Sequence, residues 1–429
     1  MNLKQLDVSI KTVTFKPQQA SCESNNDAIV VQTNSESEMD KARAICNHLL
    51  SKLGDVEYPL MMMNMDKVAL QFARWRKCLP NVEIYYAVKC NPDPTLVAFL
   101  QSLGANFDCA TSAEMDLVVN QLGHNPEKVI FSNPCKLPSH IRFARDSGVN
   151  LTIIDNTDEV LKVKRNNPGA QVLIRLACAD SSAQCPMSCK FGVTNDLVEA
   201  VLTHAMESGL EVVGVHFHVG SGCSDPNAYH KALLDARRAF DLGCEIGHNM
   251  HVLDLGGGYP GLSLDGTCRT SNGVHFEEMA HVIRSLLSQL FPNDPHNPQY
   301  KIMAEPGRFM CAGSAVLMTK IHSKAAQGRG LRYYINDGLY GCFNCVLFDH
   351  QKVHPVTLEV YPDRASVAGA TIFGPTCDGF DKIMDGVDNL PEMELDERLI
   401  WMNMGAYTTA ASTTFNGFPL AQYFYYRTV

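Results

Sequence analysis

From residue 82 onward one pattern recurs: a short apolar run, a turn rich in Gly, Pro, Asn or Ser, then a segment with apolar residues three and four apart. That alternation predicts βα units. The apolar runs are VEIYYAVK (82–89), ANFDCA (105–110), KVIFSNP (128–134), NLTIIDN (150–156), QVLIRLA (171–177), VVGVHFHVG (212–220), HVLDLGGG (251–258) and YKIMAEPG (300–307). Between them TLVAFLQSLG, AEMDLVVNQLG, LVEAVLTHAMESG, AYHKALLDARRAFDLG and FEEMAHVIRSLLSQLF read as amphipathic helices. Strands alternating with helices in this way over roughly 225 residues predict a closed (β/α)8 TIM-like barrel, with an open doubly wound sheet as the alternative.

After Arg308 the pattern changes to strands and turns: GSAVLMTKIHS, LRYYINDG, NCVLFDHQKV, ATIFGPTCDG and RLIWMNMGAYTTAAS. These predict a separate C-terminal β-rich domain, making the chain α/β overall. Residues 1–57 hold an early strand candidate, a polar stretch QQASCESNNDAIVVQTNSESEMD that reads as a mobile loop, and the helix KARAICNHLLSKLG. The expected division is an N-terminal segment 1–57 contributing to the β domain, a barrel over 58–314 and a β domain over 315–429.

Composition narrows the function. The chain has 429 residues, 45% hydrophobic and 19% charged, enough to bury a large core in two domains. A net charge of -10, with no cluster of Lys and Arg, argues against nucleic acid. There is no apolar run of about 18 residues, and MNLKQLDVSIKTVTF lacks the layout of a signal peptide, so no membrane partner and a cytoplasmic location are expected. The sixteen cysteines are irregularly spaced and read as reduced thiols. Cys342 and Cys345 make one C-x-x-C; without a second pair or a βαβ setting, they read as buried structural thiols.

The strand ends carry the chemistry, because active sites of such barrels lie there. In order they offer Lys89, Asp108, Asn133, Asp155, Arg175, His218, Gly256 to Gly258, and Glu305 with Arg308. Lys89 ends an apolar run just before Asn-Pro-Asp-Pro; such a lysine either snorkels to water or serves as an imine-forming amine. LGGGYPG and EPGR are turns that expose backbone N–H groups where barrels commonly bind phosphate. A lysine, a phosphate cradle and a carboxylate at one barrel mouth match pyridoxal 5'-phosphate, which needs an imine partner, an anchor and an acid to keep its ring nitrogen protonated. His216 and His218 share a strand face, as in barrel metallohydrolases, but no other His ends a barrel strand. No metal is expected, and His216 reads as a hydrogen-bonded core residue.

From about residue 58 nearly to the end, YAVKCN, NFDCA, HFHVGSG, LDLGGGYPG, AEPGR, NDGLYGCFNC, GPTCDGFD and MGAYTTAASTTFNGF closely resemble eukaryotic ornithine decarboxylases. These are pyridoxal-phosphate enzymes built on an alanine-racemase-like barrel plus a β domain. The resemblance implies that Lys89 carries the cofactor, His218 stacks on its ring and Glu305 pairs with the ring nitrogen. It implies that Ser221, Gly256, Gly257, Gly258, Arg308 and Tyr407 hold the phosphate, that Gly307 also binds the cofactor, and that Asp108 and Arg175 line the pocket. GPTCDGFD resembles a segment delivered across a homodimer interface, so that Cys377 and Asp378 of one copy complete the site holding Lys89 of the other. Cys377 then manages reprotonation, Asp378 and Asp349 receive the distal ammonium of L-ornithine, and Tyr340 and Phe415 line the substrate side. The implied reaction exchanges Lys89 for the substrate α-amine, expels CO2, reprotonates and releases putrescine.

The same resemblance makes a regulatory antizyme a candidate partner. The competing expectation is a catalytically silent, antizyme-inhibitor-like protein; retention of Lys89, Asp108, Arg175, Arg308 and Cys377 favours the enzyme. A decarboxylase of lysine, arginine or diaminopimelate is the other alternative, with Asp349 and Asp378 pointing to a terminal cation rather than a second carboxylate. Two features depart from the family pattern. Phe348 stands before Asp349 where many members carry tyrosine, bearing on the choice between ornithine and lysine. LSLDGTCRTSNGVHFEE makes a longer loop, expected to be a surface insertion. The chain stops soon after FNGF, so tail-dependent turnover is not expected.

Overall fold

The computed structural model describes residues 29–31, 37–263, 266–293, 299–327 and 330–428. Eight parallel strands close into a barrel in the order Glu83–Ala87, Asn106–Cys109, Val129–Phe131, Leu151–Ile154, Gln171–Leu176, Glu211–Phe217, Val252–Asp254 and Lys301–Ala304. The last strand pairs back on the first, Met303 with Glu83 and Ala304 with Ile84, which excludes the open sheet. Seven of these strands contribute to one buried cluster, Tyr85, Ile130, Ile153, Leu173, Val213, Val252 and Met303, packed inside as a TIM barrel requires. Helices Pro94–Leu103, Pro138–Asp146, Thr157–Asn166, Val198–Glu207, Asn227–Ile246 and Phe276–Leu290 follow strands in the βα manner.

The chain folds into two compact units. The first comprises Leu70–Gly261 and Cys268–Met310, and holds the barrel. The second takes in the described residues up to Ala69, then Leu262–Thr267 and the chain from Cys311 onward. Its nine-stranded sheet runs Ile29–Val31, Gln422–Thr428, Leu60–Asn64, Ala315–Gln327, Gly330–Ile335, Ala370–Phe373 and Lys382–Val387, with Arg398–Trp401 and Val356–Thr357 branching from Ala315–Gln327. Leu60–Asn64, expected in the barrel segment, is hydrogen-bonded in this sheet between Gln422–Thr428 and Ala315–Gln327.

Three further expectations are corrected. The polar stretch read as a mobile loop contains the strand Ile29–Val31, whose β-branched residues pair in parallel with Tyr426, Arg427 and Thr428; the rest of it before residue 37 lies outside the described residues. NCVLFDHQKV begins as the short helix Asn344–Phe348 instead of a strand. A tight turn feeds it, with Phe343 N–H donating to Gly338 O at 3.1 Å, and Phe343 packs edge-on against Trp401. The longer loop after the seventh barrel strand is not purely a surface feature: Leu262, Cys268 and Thr270 are buried within it.

Candidate active site

Lys89 is held by the chain around it. The strand Glu83–Ala87 passes into a single 3-10 turn, Val88–Cys90, which tips the side chain out of the strand path. Asn91 then accepts the Asp93 N–H at 3.1 Å, and Asp93 accepts the Leu96 N–H at 2.9 Å, capping a helix with Pro94 at its first position. The turn that sets off Lys89 thus also starts the next helix. Its side chain is 35% exposed and ion-pairs with Asp108, which is wholly buried. Ser132 donates its hydroxyl to the second oxygen of Asp108. Burial and the charge of Glu305 push the Asp108 carboxyl up, while Lys89 and Ser132 pull it back.

His216 and His218 project two residues apart from the strand Glu211–Phe217 and the turn after it. Burial holds both rings neutral, well below the usual histidine range, helped by Arg175. His218 Nδ1 accepts the Gly220 N–H at 3.0 Å, which puts its proton on Nε2. His216 Nε2 lies 3.3 Å from Glu305 Oε2. Glu305 is pushed up by burial and drawn down by Lys89 and Arg175. Arg175 is itself buried, its guanidinium 5.0 Å over the Phe191 ring.

The glycine turn after Val252–Asp254 closes this region. Gly256 and Gly258 take φ of 60° and 109°, where a Cβ would be strained. A Cβ on Gly256 would lie 2.2 Å from Phe217 O, and one on Gly258 2.7 Å from Gly220 O. Only glycine lets the turn lie against the loop carrying His218. Tyr229 fixes it by donating to Gly257 O at 3.0 Å, and Arg308 donates to Ser221 Oγ at 2.9 Å. Gly307 packs on the Lys89 turn, since a Cβ there would lie 2.8 Å from Cys90 Cβ.

The second unit carries the remaining residues. Tyr340 donates to Asp378, holding that carboxyl below its ordinary range, and stacks on Phe415 with centroids 4.4 Å apart. The Cys377 N–H donates to Asn416 at 3.0 Å. Cys377 is exposed, and so are Phe348, Phe380 and Phe415. Behind them Asp381, 1% exposed, accepts the Leu339 N–H at 2.7 Å and the Thr376 N–H and hydroxyl at 3.1 and 2.7 Å. Asp349 is buried after the helix Asn344–Phe348, where its charge helps to raise the Cys345 thiol. Tyr407 takes a left-handed φ of 54°, a conformation that costs about 1–2 kcal/mol in a non-glycine residue.

The barrel thus brings together Lys89, Asp108, Arg175, His218 and Glu305 through shared fields, and joins Ser221 to Arg308. Tyr340, Cys377, Asp378 and Phe415 form a second group. Two strand-end residues serve the scaffold: Asn133 accepts the Cys135 N–H, and Asp155 accepts the Gly192 N–H. Ser132, Asp254 and Asp381 were not singled out by the pattern of the sequence. Asp254 had one signal, a carboxylate at the end of an apolar run on the face of Val252. Among the described residues no helix is long and apolar enough to cross a membrane, and no disulfide forms.

The barrel mouth therefore offers an amine nucleophile, a neutral imidazole, a buried carboxylate and a glycine turn beside an arginine. Residues 65–312 match the pyridoxal binding domain of pyridoxal-dependent decarboxylases, and residues 250–405 match their C-terminal sheet domain. The chain is 40% identical over 379 residues to a chloroplastic ornithine decarboxylase of Nicotiana glauca, covering 86% of this chain and 84% of that one. It is 39% identical over 376 residues to ornithine decarboxylase of Rattus norvegicus, covering 84% and 79%. Among solved structures, the arginine decarboxylase of Paramecium bursaria Chlorella virus superposes with a TM-score of 0.82 at 31% identity, covering 90% of this chain and 100% of that one. A lysine/ornithine decarboxylase from Vibrio vulnificus, complexed with putrescine, gives 0.78 at 29% identity, covering 90% and 98%. Sequence, barrel and sheet agree that this chain belongs to the pyridoxal-dependent decarboxylases.

Proposed function

We propose that this chain decarboxylates L-ornithine to putrescine and CO2 with pyridoxal 5'-phosphate, as a cytoplasmic homodimer. The reading rests most heavily on Lys89, a reachable amine at the mouth of a matched pyridoxal binding domain, paired with a buried carboxylate. The donor set suits the cofactor: an amine for its aldehyde, Arg308 and Ser221 with the Gly256–Gly258 backbone for its phosphate, and Glu305 for its ring nitrogen. Bound there, the pyridine ring supplies a sink for the electron pair left when CO2 departs.

The chain's own groups do the rest. Asp108, anchored by Ser132, holds Lys89 at the mouth. His218, neutral with its proton on Nε2, offers an uncharged ring face to a planar cofactor and adds no charge to oppose the cation there. Glu305 keeps the ring nitrogen protonated. In the proposed dimer, Cys377 of one copy donates the proton that replaces CO2 in the site of the other. Asp378 and Asp349 receive the distal ammonium, and Tyr340 orients Asp378. Cysteines outside disulfides, as the described ones are, suit a reducing compartment.

Ornithine is chosen over arginine because the ornithine decarboxylases share about 40% identity over most of the chain, against 31% for the viral arginine decarboxylase. The test supplies purified protein and pyridoxal phosphate with L-ornithine, L-lysine, L-arginine and diaminopimelate in parallel, measuring CO2 and amine release. Fastest turnover of ornithine is expected. Faster turnover of lysine would reassign the substrate, and bound cofactor without turnover of any of the four would remove the function.

A further inference from the structure

Beneath the site, His216, Asp254 and Glu305 converge from three adjacent strands or strand ends. Register explains the meeting: Asp254 pairs with His216 on one side and with Met303 on the other, and Glu305 lies two residues past Met303 on the same face. One ligand atom from each lies within 4.8 Å of the others, and all three residues are buried. Asp254 Oδ1 accepts the Gly256 N–H at 2.9 Å, and Glu305 Oε2 faces His216. The other two oxygens, Asp254 Oδ2 and Glu305 Oε1, are buried and have no hydrogen-bond partner among the described residues, although the two carboxyls approach each other within 4.8 Å.

Two buried carboxyls this close do not both ionise, and a proton on one turns it into a hydrogen-bond donor to the other. Surroundings decide which keeps it. Glu305 feels Lys89 and Arg175, both cationic, whereas the charges acting on Asp254 are Glu305 and Asp108, both anionic. Tyr85 and Tyr259, which also feel Asp254, stay neutral, and His216 is neutral. With the proton on Asp254, Lys89 and Arg175 balance Asp108 and Glu305, and the buried cluster carries no net charge. A divalent cation among the three ligands would upset that balance.

We propose that Asp254 is a positioning residue: it carries a proton at neutral pH and donates it to Glu305, keeping Glu305 ionised and aimed for the ring nitrogen of the cofactor. This rests on the role given to Glu305 above. Each carboxylate oxygen has two acceptor sites, so bonds from Asp254 and His216 leave room for a third donor. Asn at 254 preserves the pattern, its Oδ1 accepting from Gly256 and its amide N–H donating to Glu305. Ala preserves neither.

The test measures dissociation constants of pyridoxal phosphate and of its 1-deaza analogue, which lacks the ring nitrogen, for wild type, Asp254→Asn, Asp254→Ala and Glu305→Gln. Fluorescence quenching reads binding without turnover, and circular dichroism checks the fold. Expected are about tenfold weaker pyridoxal phosphate binding in Asp254→Ala, a hydrogen bond to a charged group being at stake, and near wild-type binding in Asp254→Asn. The deaza analogue should bind wild type and Asp254→Ala alike. Equal loss for both ligands in Asp254→Ala, or an Asn variant as weak as the Ala variant, would overturn the proposal. If wild type and Glu305→Gln both failed to distinguish the two ligands, the role of Glu305 would fall, and this inference with it.

Discussion

In the barrel mouth, Asp108, His216, Asp254 and Glu305 are at most 4% exposed and linked by hydrogen bonds and charge, whereas on the sheet unit Cys377 and the phenylalanines Phe348, Phe380 and Phe415 stand in solvent. The buried group has its protonation pattern imposed by the fold: burial neutralises both histidines, and opposing charges distribute the carboxyl protons. The exposed group has its shape imposed, by Asp381 behind the loop and Tyr340 beside it, while its electrostatic environment remains that of water. A cofactor site is preorganised by the first arrangement. A proton donor and a cation receptor gain strength only once covered, as the dimer reading requires.

The largest effects should separate the two groups. Lys89→Ala should lose both the cofactor's visible absorbance and turnover, the latter by at least about a thousandfold. Cys377→Ala should keep the absorbance and lose about a hundredfold in putrescine formation. Mixing the two inactive variants should restore about a quarter of the sites if copies reassort at random. Absence of recovery after demonstrated exchange would argue that each copy works alone.

Asp381→Ala sharpens the comparison from the exposed side. It strips the acceptor from three donors, and should cost about 2–4 kcal/mol in urea denaturation while cofactor binding in the barrel is kept. Unchanged stability would show that the loop holds its shape unaided.

The smallest effect concerns Asp337, a buried carboxyl in the same unit pushed up to about 6, chiefly by burial. A folded pKa above the unfolded value means that the protonated form is favoured on folding: the contribution is most favourable at low pH and is lost as pH rises through about 6. Asp337→Asn keeps an oxygen for the Gly338 and Cys342 N–H groups and cannot ionise. Its advantage over wild type should therefore grow as pH rises from about 4 to about 6 and level off above that, at about 3 kcal/mol at most. A pH-independent difference would contradict this.

Much of the barrel site was readable because each apolar run is short and ends in a polar residue, so strand ends could be recognised residue by residue. Lys89, Asp108, Arg175 and Glu305 follow from that alone, and the structure gathers them through a closed barrel that the alternating pattern favours. What escaped depends on contacts distant in sequence. Ile29–Val31 becomes a strand only against the C-terminal strand Gln422–Thr428. Asp254 resembles an ordinary strand-end carboxylate until parallel register sets it opposite His216. Asp381 looks like one more turn aspartate until Leu339 and Thr376 are seen to donate to it. Asn133 and Asp155 are the converse: strand-end polarity that ties loops together.

The central claim is that Lys89 is the residue that holds the cofactor. Borohydride reduction of the protein loaded with pyridoxal phosphate, followed by proteolysis and mass spectrometry, tests it most directly. The account predicts a phosphopyridoxyl group on the peptide containing Lys89 and its absence from that peptide when L-ornithine is in excess; a label on another lysine, or none on protein that turns over ornithine, would contradict it.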